Sequence, residues 1–580
     1  MKNITHSVVL LLSILLSCHS LIGQTGPGGI SEGDLETWLD ASALSNTDGD
    51  SLTTWSDEST NSNNAALVTG YQKPTWESNE INGLPIVRFT GSEILEFATN
   101  LTSQAITIFS IHKKSPSSTT QSPFATSNHM FLTNSVDQLV PIYLNPVQSS
   151  IRVNNPSNVF NIMSFQSETG LSGVTVILKS GTRSVSGTRN EVTNLSSSTL
   201  GCRNSNGYRN FFDGDFAEFM VFNRNLNSAE RRIVGEYLGA KYDLTTESGL
   251  YSYRGTHDTD LKGIGQESDG SNTIARGTDR LEVLNASSLG DGDYILLASD
   301  GADYSISTSV PSSAVDRWNR TWRADITGTP GTVDLRFYLD GGTFPGPITD
   351  LVVLGETNDQ DFSNGDVTVI ASSPSFVFNG GDSYVQFNGV SLTNGMTIAL
   401  AENNTNITSA GSGDWNTPGS WDCNCVPTNL NNVTIQSPHV ITIFADANAL
   451  GLDLQSGAEI TFSGSHVLSV YEDLTLAGTY TAGTGTLALV KQTDDQLVYN
   501  NTGSTINLHN LRVNNNQGAS FENGDWSLSN NLEVNAGGLD VSNALSFTLQ
   551  SNASGSSQVL ESMSGAFTGN FTVERYISDR

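Results

Sequence analysis

The stretch DGDFAEFMVFNRNLNSAERRIVGEYLGAKYDL, Asp213–Leu244, decides the fold. In DFAEFMVF, strict alternation puts Phe216, Met220 and Phe222 on one face and Ala217, Phe219 and Val221 on the other. Only Glu218 breaks the apolar run, so the segment reads as a central strand covered on both sides. Asn227 then offers an N-cap with Glu230 three residues on, a capping-box pair. Ile233, Val234, Tyr237, Leu238 and Tyr242 follow at helical spacing, with Arg231, Arg232, Glu236 and Lys241 left for the wet face. This helix is expected to pack on the sheet and to terminate a domain.

Outward from this point the chain is β-like almost throughout. Residues 30–245 hold short strand-like runs, LPIVRF, AITIFSI and VTVILKS, broken by Gly, Asn and Ser, the pattern of an antiparallel sandwich. Residues 246–402 read as a second β unit, with DGDYILLASDG, TVDLRFYLD and MTIALAE. The polar stretch 403–412 reads as a linker. From 413 to 580, LDLQSGA at Leu452, LTLAGT at Leu474, LRVNNNQGAS at Leu511 and LEVNAGG at Leu532 repeat one unit at steps of 22, 37 and 21 residues. Such recurrence predicts a β-solenoid of stacked coils, with the long step marking an inserted coil or loop. The fold class is therefore all-β: a sandwich with one closing helix, a second sandwich-like domain and a C-terminal solenoid.

The chain has 580 residues, of which 37% are apolar, enough for roughly three or four domains. It carries 27 basic and 59 acidic side chains, a net charge of −32, yet only 15% of residues are charged. Such a surface repels nucleic acid and anionic lipid. The cations it attracts include calcium, which prefers carboxylate and carbonyl oxygen, although solubility alone accounts for most of the acids.

Residues 1–23 have Lys2, an apolar run from Val8 to Leu16 and small residues after it, the layout of a secretory signal peptide. Cleavage after Gly23 leaves Gln24 first. Leu15-Leu16-Ser17-Cys18 also resembles a lipobox, which implies a lipid anchor at Cys18 as the alternative to a secreted or cell-surface product. No later segment has the ~20 apolar residues of a membrane-crossing helix. Outside the leader, Cys202, Cys423 and Cys425 are too few for a disulfide scaffold. Cys423 and Cys425 are placed to pair across one residue, and Cys202 reads as a small core residue.

LETWLDAS, TTWSDEST, INGLPIVRFTGSEIL and the opening stretch together resemble the laminin-G-like, concanavalin-type jelly roll of exported Bacteroidetes proteins, its closing helix included. The resemblance covers residues 30–245. GIGQESDGS and DRWNRTWRADITG resemble a β-rich module of unknown function that follows such jelly rolls, and GSGDWNTPGSWDCNCVPTNLNNVTI resembles the entry cap of their solenoids. Proteins of this kind continue into a type IX secretion sorting domain, so FTGNFTVERYISDR is expected to be the end of a fragment. The resemblance implies glycan or extracellular-ligand binding and adhesion.

Asp-Gly-Asp occurs at Asp48–Asp50, Asp213–Asp215 and Asp291–Asp293. Two carboxylates around a flexible Gly can supply part of a calcium shell, and Asp and Gly are equally what turns demand. Asn46, Asp48 and Asp50 are the candidate calcium ligands, because Asn46 adds a third oxygen. Among aromatic residues, Trp38 and Trp55 sit in apparent strands and are expected to be buried, whereas Trp76 in QKPTWESNE is expected to be the exposed ring that stacks on a sugar. His257 to Asp260, HDTD, offers oxygen and nitrogen ligands for a cation, and a polar loop explains it as well. A glycoside hydrolase of the same superfamily would show carboxylates alternating along one strand, and only Asp215 and Glu218 come near that. No zinc signature, nucleophile elbow or phosphate loop is present, so no catalytic residue is assigned. A noncatalytic binding protein is the leading reading; a polysaccharide hydrolase and a purely structural adhesin or spacer are its rivals.

Overall fold

A computed structural model describes residues 26–577, apart from 98–104, 118, 127–128, 134–137, 144–152, 169–173, 181, 190–196, 205–206, 312, 340–341, 365, 379–381, 554 and 561–565. Residues 1–25, with Cys18 and the expected signal peptide, lie outside the described residues. The molecule is all-β: two sandwiches followed by a parallel β-solenoid of about six turns.

In the first sandwich a nine-stranded and an eight-stranded antiparallel sheet enclose a core that includes Trp55, Val87, Phe89, Phe124, Phe165 and Phe219. Strand Asp213–Phe222 is central, flanked by Ile106–Lys114 and by Leu84–Thr90 and Leu35–Asp40. Its alternation is not strict. A bulge between Phe216 and Glu218 shifts the register, so Phe216 faces inward with Phe219 and Val221, while Ala217, Met220 and Phe222 face the helix. The expected grouping of Phe216 with Met220 and Phe222, and of Ala217 with Phe219 and Val221, is thus corrected by one inserted residue.

Helix Ser228–Tyr242 starts with the capping box: Asn227 accepts from the Glu230 N–H and Glu230 accepts from the Asn227 N–H. It ends at Asp243 in the left-handed conformation. Ile233, Val234, Tyr237 and Leu238 pack with Phe109, Ile111 and Phe222 of the first sandwich and with Leu261, Tyr294 and Leu296 of the second. Full burial of each aliphatic chain contributes about 1.5–3 kcal/mol. The face expected to be wet is partly covered. Glu236 is completely buried, accepting from Thr246, Ser248, the Leu250 N–H and Arg254, and Arg232 pairs with Glu267 at 2.6 Å. Residues Thr246–Arg254 and Glu267, from the second-sandwich part of the chain, supply the partners that sequence periodicity cannot reveal. The helix is therefore a wedge shared by two domains.

The second sandwich packs a nine-stranded sheet on a five-stranded one around Trp318, Trp322, Phe337 and Phe387. Its last strand, Thr397–Asn403, is followed at once by Asn406–Thr408, which pairs in parallel with Asn432–Ile435. The stretch 403–412 is thus no linker; most of it is built into the first coil. Trp415 and Trp421 close that coil, fully buried with ring centroids 5.1 Å apart. The solenoid's long step also has a different cause. Leu452 and Leu474 stack in one parallel sheet, with Val498 and Phe521 as the next rungs, whereas Leu511 and Leu532 stack in another sheet with Leu468 and Leu487. The 37-residue step is a change of face, not an inserted coil.

Candidate functional site

Among the singled-out residues, Trp76 is buried, whereas Asp48 and Asp50 are exposed. Trp76 lies on strand Thr75–Ile81, 9% exposed, with its indole N–H donating to the Ala41 carbonyl at 2.9 Å. The expectation of an exposed Trp76 is corrected: alternation across Thr75, Trp76 and Glu77 turns the ring inward. Asp48 accepts from the Ser78 N–H and hydroxyl, which hold its carboxyl below the usual range, and Asp50 accepts from the Thr47 N–H. Asp50 thus closes a local turn, while Asp48 ties its loop to strand Thr75–Ile81. Asp293 and Asp291 likewise engage Gly290, Thr329 and Gln266. Cys423 and Cys425 form a disulfide, and Cys202 is buried, its thiol pushed up to about 12 by burial.

The acids of the opening stretch are structural. Asp215 pairs with Arg88 at 2.8 Å and Lys113 at 2.6 Å. Glu218, completely buried, accepts from the Trp38 indole at 2.7 Å, Tyr242 at 2.8 Å, Tyr237 at 3.2 Å and Lys241 at 2.9 Å. Burial pushes its carboxyl up against the opposing pull of Lys241. No water-facing pair of acids forms on this strand, so the arrangement offers no acid and nucleophile of a glycosidase. His257 meets Thr321 at 3.0 Å, while Asp260 accepts from Thr278 and the Asp279 N–H.

One carboxylate group went unnoticed in the sequence. Glu356, Asp359 and Asp366 place oxygens within 4.8 Å of one another on the loop NDQDFSNGD and the strand before it. Hard cations take such oxygens. Here each already serves a loop donor: Glu356 the N–H groups of Asn358, Asp359 and Gln360, Asp359 the Asp361 N–H, and Asp366 the Asn358 amide. Alternating Asp and Asn was the available signal.

An aromatic cluster on the outer side of the eight-stranded sheet has the geometry of a ligand face. Strand Leu95–Phe97 turns Leu95 and Phe97 into the core and so points Glu96 outward. The hairpin 201–212 is stitched onto strand Gln121–Ala125 through Gly201 N–H to Pro123 and Ser122 N–H to Asn210. Gly201, at φ 90°, sits where a Cβ would lie 2.6 Å from the Glu93 carbonyl and the Phe89 ring. Only glycine allows so close an approach. This lays Tyr208 against Tyr71, centroids 5.3 Å apart and edge-to-face, with Phe211 6.1 Å from Tyr71. All three rings are half-buried, and the Tyr208 hydroxyl donates to Glu96 at 3.4 Å. Burial, then Glu96, pushes the Tyr208 phenol up. Arg203 and Arg209 pair across the hairpin, and burial followed by the Arg209 charge lowers the Arg203 guanidinium. In GYQKP and NGYRNFF these rings look like loop residues, and nothing local shows that they meet.

Comparisons with known proteins bear on parts of the chain. Residues 265–396 match the family described as "Domain of unknown function (DUF8202)". Among curated proteins, none matches the chain. Solved structures with likeness include a mutant of Trypanosoma rangeli sialidase displaying trans-sialidase activity, at 12% identity over 34% of this chain and 32% of that one, with a TM-score of 0.26. The chain thus spans about a third of that sialidase. Domain 4 of the arabinanase AbnA from Geobacillus stearothermophilus, in complex with arabinotriose, is similar at 14% identity over 33% of this chain and 94% of that one, with a TM-score of 0.23. A SAP-like pentraxin from Limulus polyphemus is similar at 14% identity over 26% and 79%, with a TM-score of 0.21.

Proposed function

We propose that the protein is an exported, noncatalytic glycan-binding protein of the cell surface or exterior. The first sandwich presents Tyr71, Tyr208 and Phe211 to the apolar faces of sugar rings, and Glu96, Arg203 and Arg209 supply hydrogen bonds to hydroxyl or acid groups. The solenoid serves as spacer. The observation that carries this reading is the half-buried aromatic cluster, in which Tyr71 meets both Tyr208 and Phe211 beside polar groups. Amphipathic rings held this way are what a sugar face requires. Support also comes from the commitment of Asp215 and Glu218 to ion pairs within the fold, which leaves the leading candidates for acid catalysis occupied.

A glycan array probed with the mature protein, with and without calcium, tests the reading. Binding is expected to at least one glycan class, and Tyr208→Ala and Tyr71→Ala are each expected to weaken it by about 2 kcal/mol, roughly 30-fold, as for truncation of a central anchor. A blank array, or binding indifferent to both substitutions in folded protein, overturns it. Release of reducing sugar from a polysaccharide would favour the hydrolase instead.

A further inference from the structure

Where the second sandwich meets the first solenoid coil, the chain encloses a cleft of about 840 Å³. That lies within the size range of ligand sites. One wall is strand Thr368–Ala371, with lining residues running without a gap from Val367 to Ser372. A space over the face of a strand meets every second residue, whereas one lined by six consecutive residues runs along the strand's edge. The strand pairs only with Leu351–Glu356, and among the described residues no backbone hydrogen bond reaches its other side. The opposite wall is the disulfide-closed turn at Asn424 and the loop around Asn429.

The chemistry of the walls selects the occupant. None of the 21 lining residues is charged, in a chain where 15% of residues are. A charged group entering here would lose water without gaining a partner. None of them is aromatic either, so a sugar face finds no platform. What remains is an open row of N–H and C=O groups facing amide, hydroxyl and aliphatic side chains. We propose that this cleft takes an extended, uncharged peptide segment of a partner protein, added as a strand along Thr368–Ala371. Main-chain hydrogen bonds give the affinity in that mode, and side-chain pockets give the selectivity. The pairing skips Ile370 in a bulge, which interrupts the regular edge. The occupant is therefore short, about four residues and roughly 13 Å.

The experiment titrates the mature full-length protein with a capped heptapeptide alternating valine with serine and threonine, followed by calorimetry. Saturable binding is expected, at least 10-fold weaker for the same peptide with alternate backbone nitrogens methylated, and at least 10-fold weaker with two glutamates in place of serines. Ser372→Glu and Asn429→Asp, on opposite walls, should each weaken it by a similar factor while the melting temperature stays within a few degrees. Absence of saturable binding at millimolar peptide, equal binding of the methylated peptide, or indifference to both wall substitutions overturns the proposal. This outcome is independent of the glycan array.

Discussion

Replacing Glu218 with alanine should loosen both sandwiches at once. The carboxylate gathers one donor from the first strand, Trp38, and three from the closing helix, Tyr237, Lys241 and Tyr242. Truncation strands the buried Tyr237 hydroxyl and the half-buried Trp38 indole, while Tyr242 keeps the Ala217 carbonyl at 3.5 Å and Lys241 keeps Asp40. An orphaned buried donor costs about 1–3 kcal/mol, and breaking a buried ion pair about 3–5 kcal/mol, so with Lys241 partly compensated the loss is about 4–5 kcal/mol. For a domain of this size that is roughly 10–15 °C in Tm. Glu218→Gln keeps the shape and one acceptor oxygen, so it should cost about 1–2 kcal/mol. Differential scanning calorimetry of the full chain reads both effects. Because the affected helix also carries the second sandwich, the first two transitions should separate in the alanine variant. A shift under about 3 °C, or equal shifts for alanine and glutamine, would falsify the reasoning.

Other perturbations address the interior and the solenoid. His112 is buried beside Ser110, Asn155, Phe212 and Phe216, and burial pushes its imidazole down to about 4. The unfolded chain binds the proton near pH 6.5, so this group's contribution is complete above that pH and is lost as pH falls toward 4, by roughly 3 kcal/mol. Urea denaturation of His112→Gln should show a flatter acid limb than the parent; an unchanged limb refutes the assignment. Phe521→Ala removes a fully buried ring that meets Trp526 at 4.8 Å and Phe547 at 5.3 Å. It should destabilise the solenoid transition by about 3–5 kcal/mol and leave the sandwich transitions in place. Calcium is expected to leave Tm unchanged, because Asp48 is engaged by Ser78 and Asp50 by the Thr47 N–H; a calcium-dependent rise abolished by Asp48→Asn would restore the ion at Asn46, Asp48 and Asp50.

The sequence made the fold class legible because period-two alternation and the capping box at Asn227 are local signals. What it hid depended on partners distant in the chain. One bulged residue at Ala217 reverses the faces of half a strand, and composition does not mark it. Glu236 and Arg232 look like solvated helix residues until Arg254 and Glu267 arrive from another domain. In the solenoid, Leu474 and Leu511 share a motif but stack on different sheets, since every coil writes the same apolar alternation more than once. The candidate site was the least legible part. Tyr71 and Tyr208 stand 137 positions apart in polar turns, and Trp76, the ring with the stronger claim by type, belongs to the core.

The shared wedge also limits how the protein meets a polymer. With the helix and the second sandwich seated over one broad side of the first, the proposed glycan site would meet a long chain only from the remaining side, so each molecule would contribute one such contact. Tight adhesion would then have to come from many copies crowded on one support, with grip set by their spacing and tether length more than by the strength of any one contact.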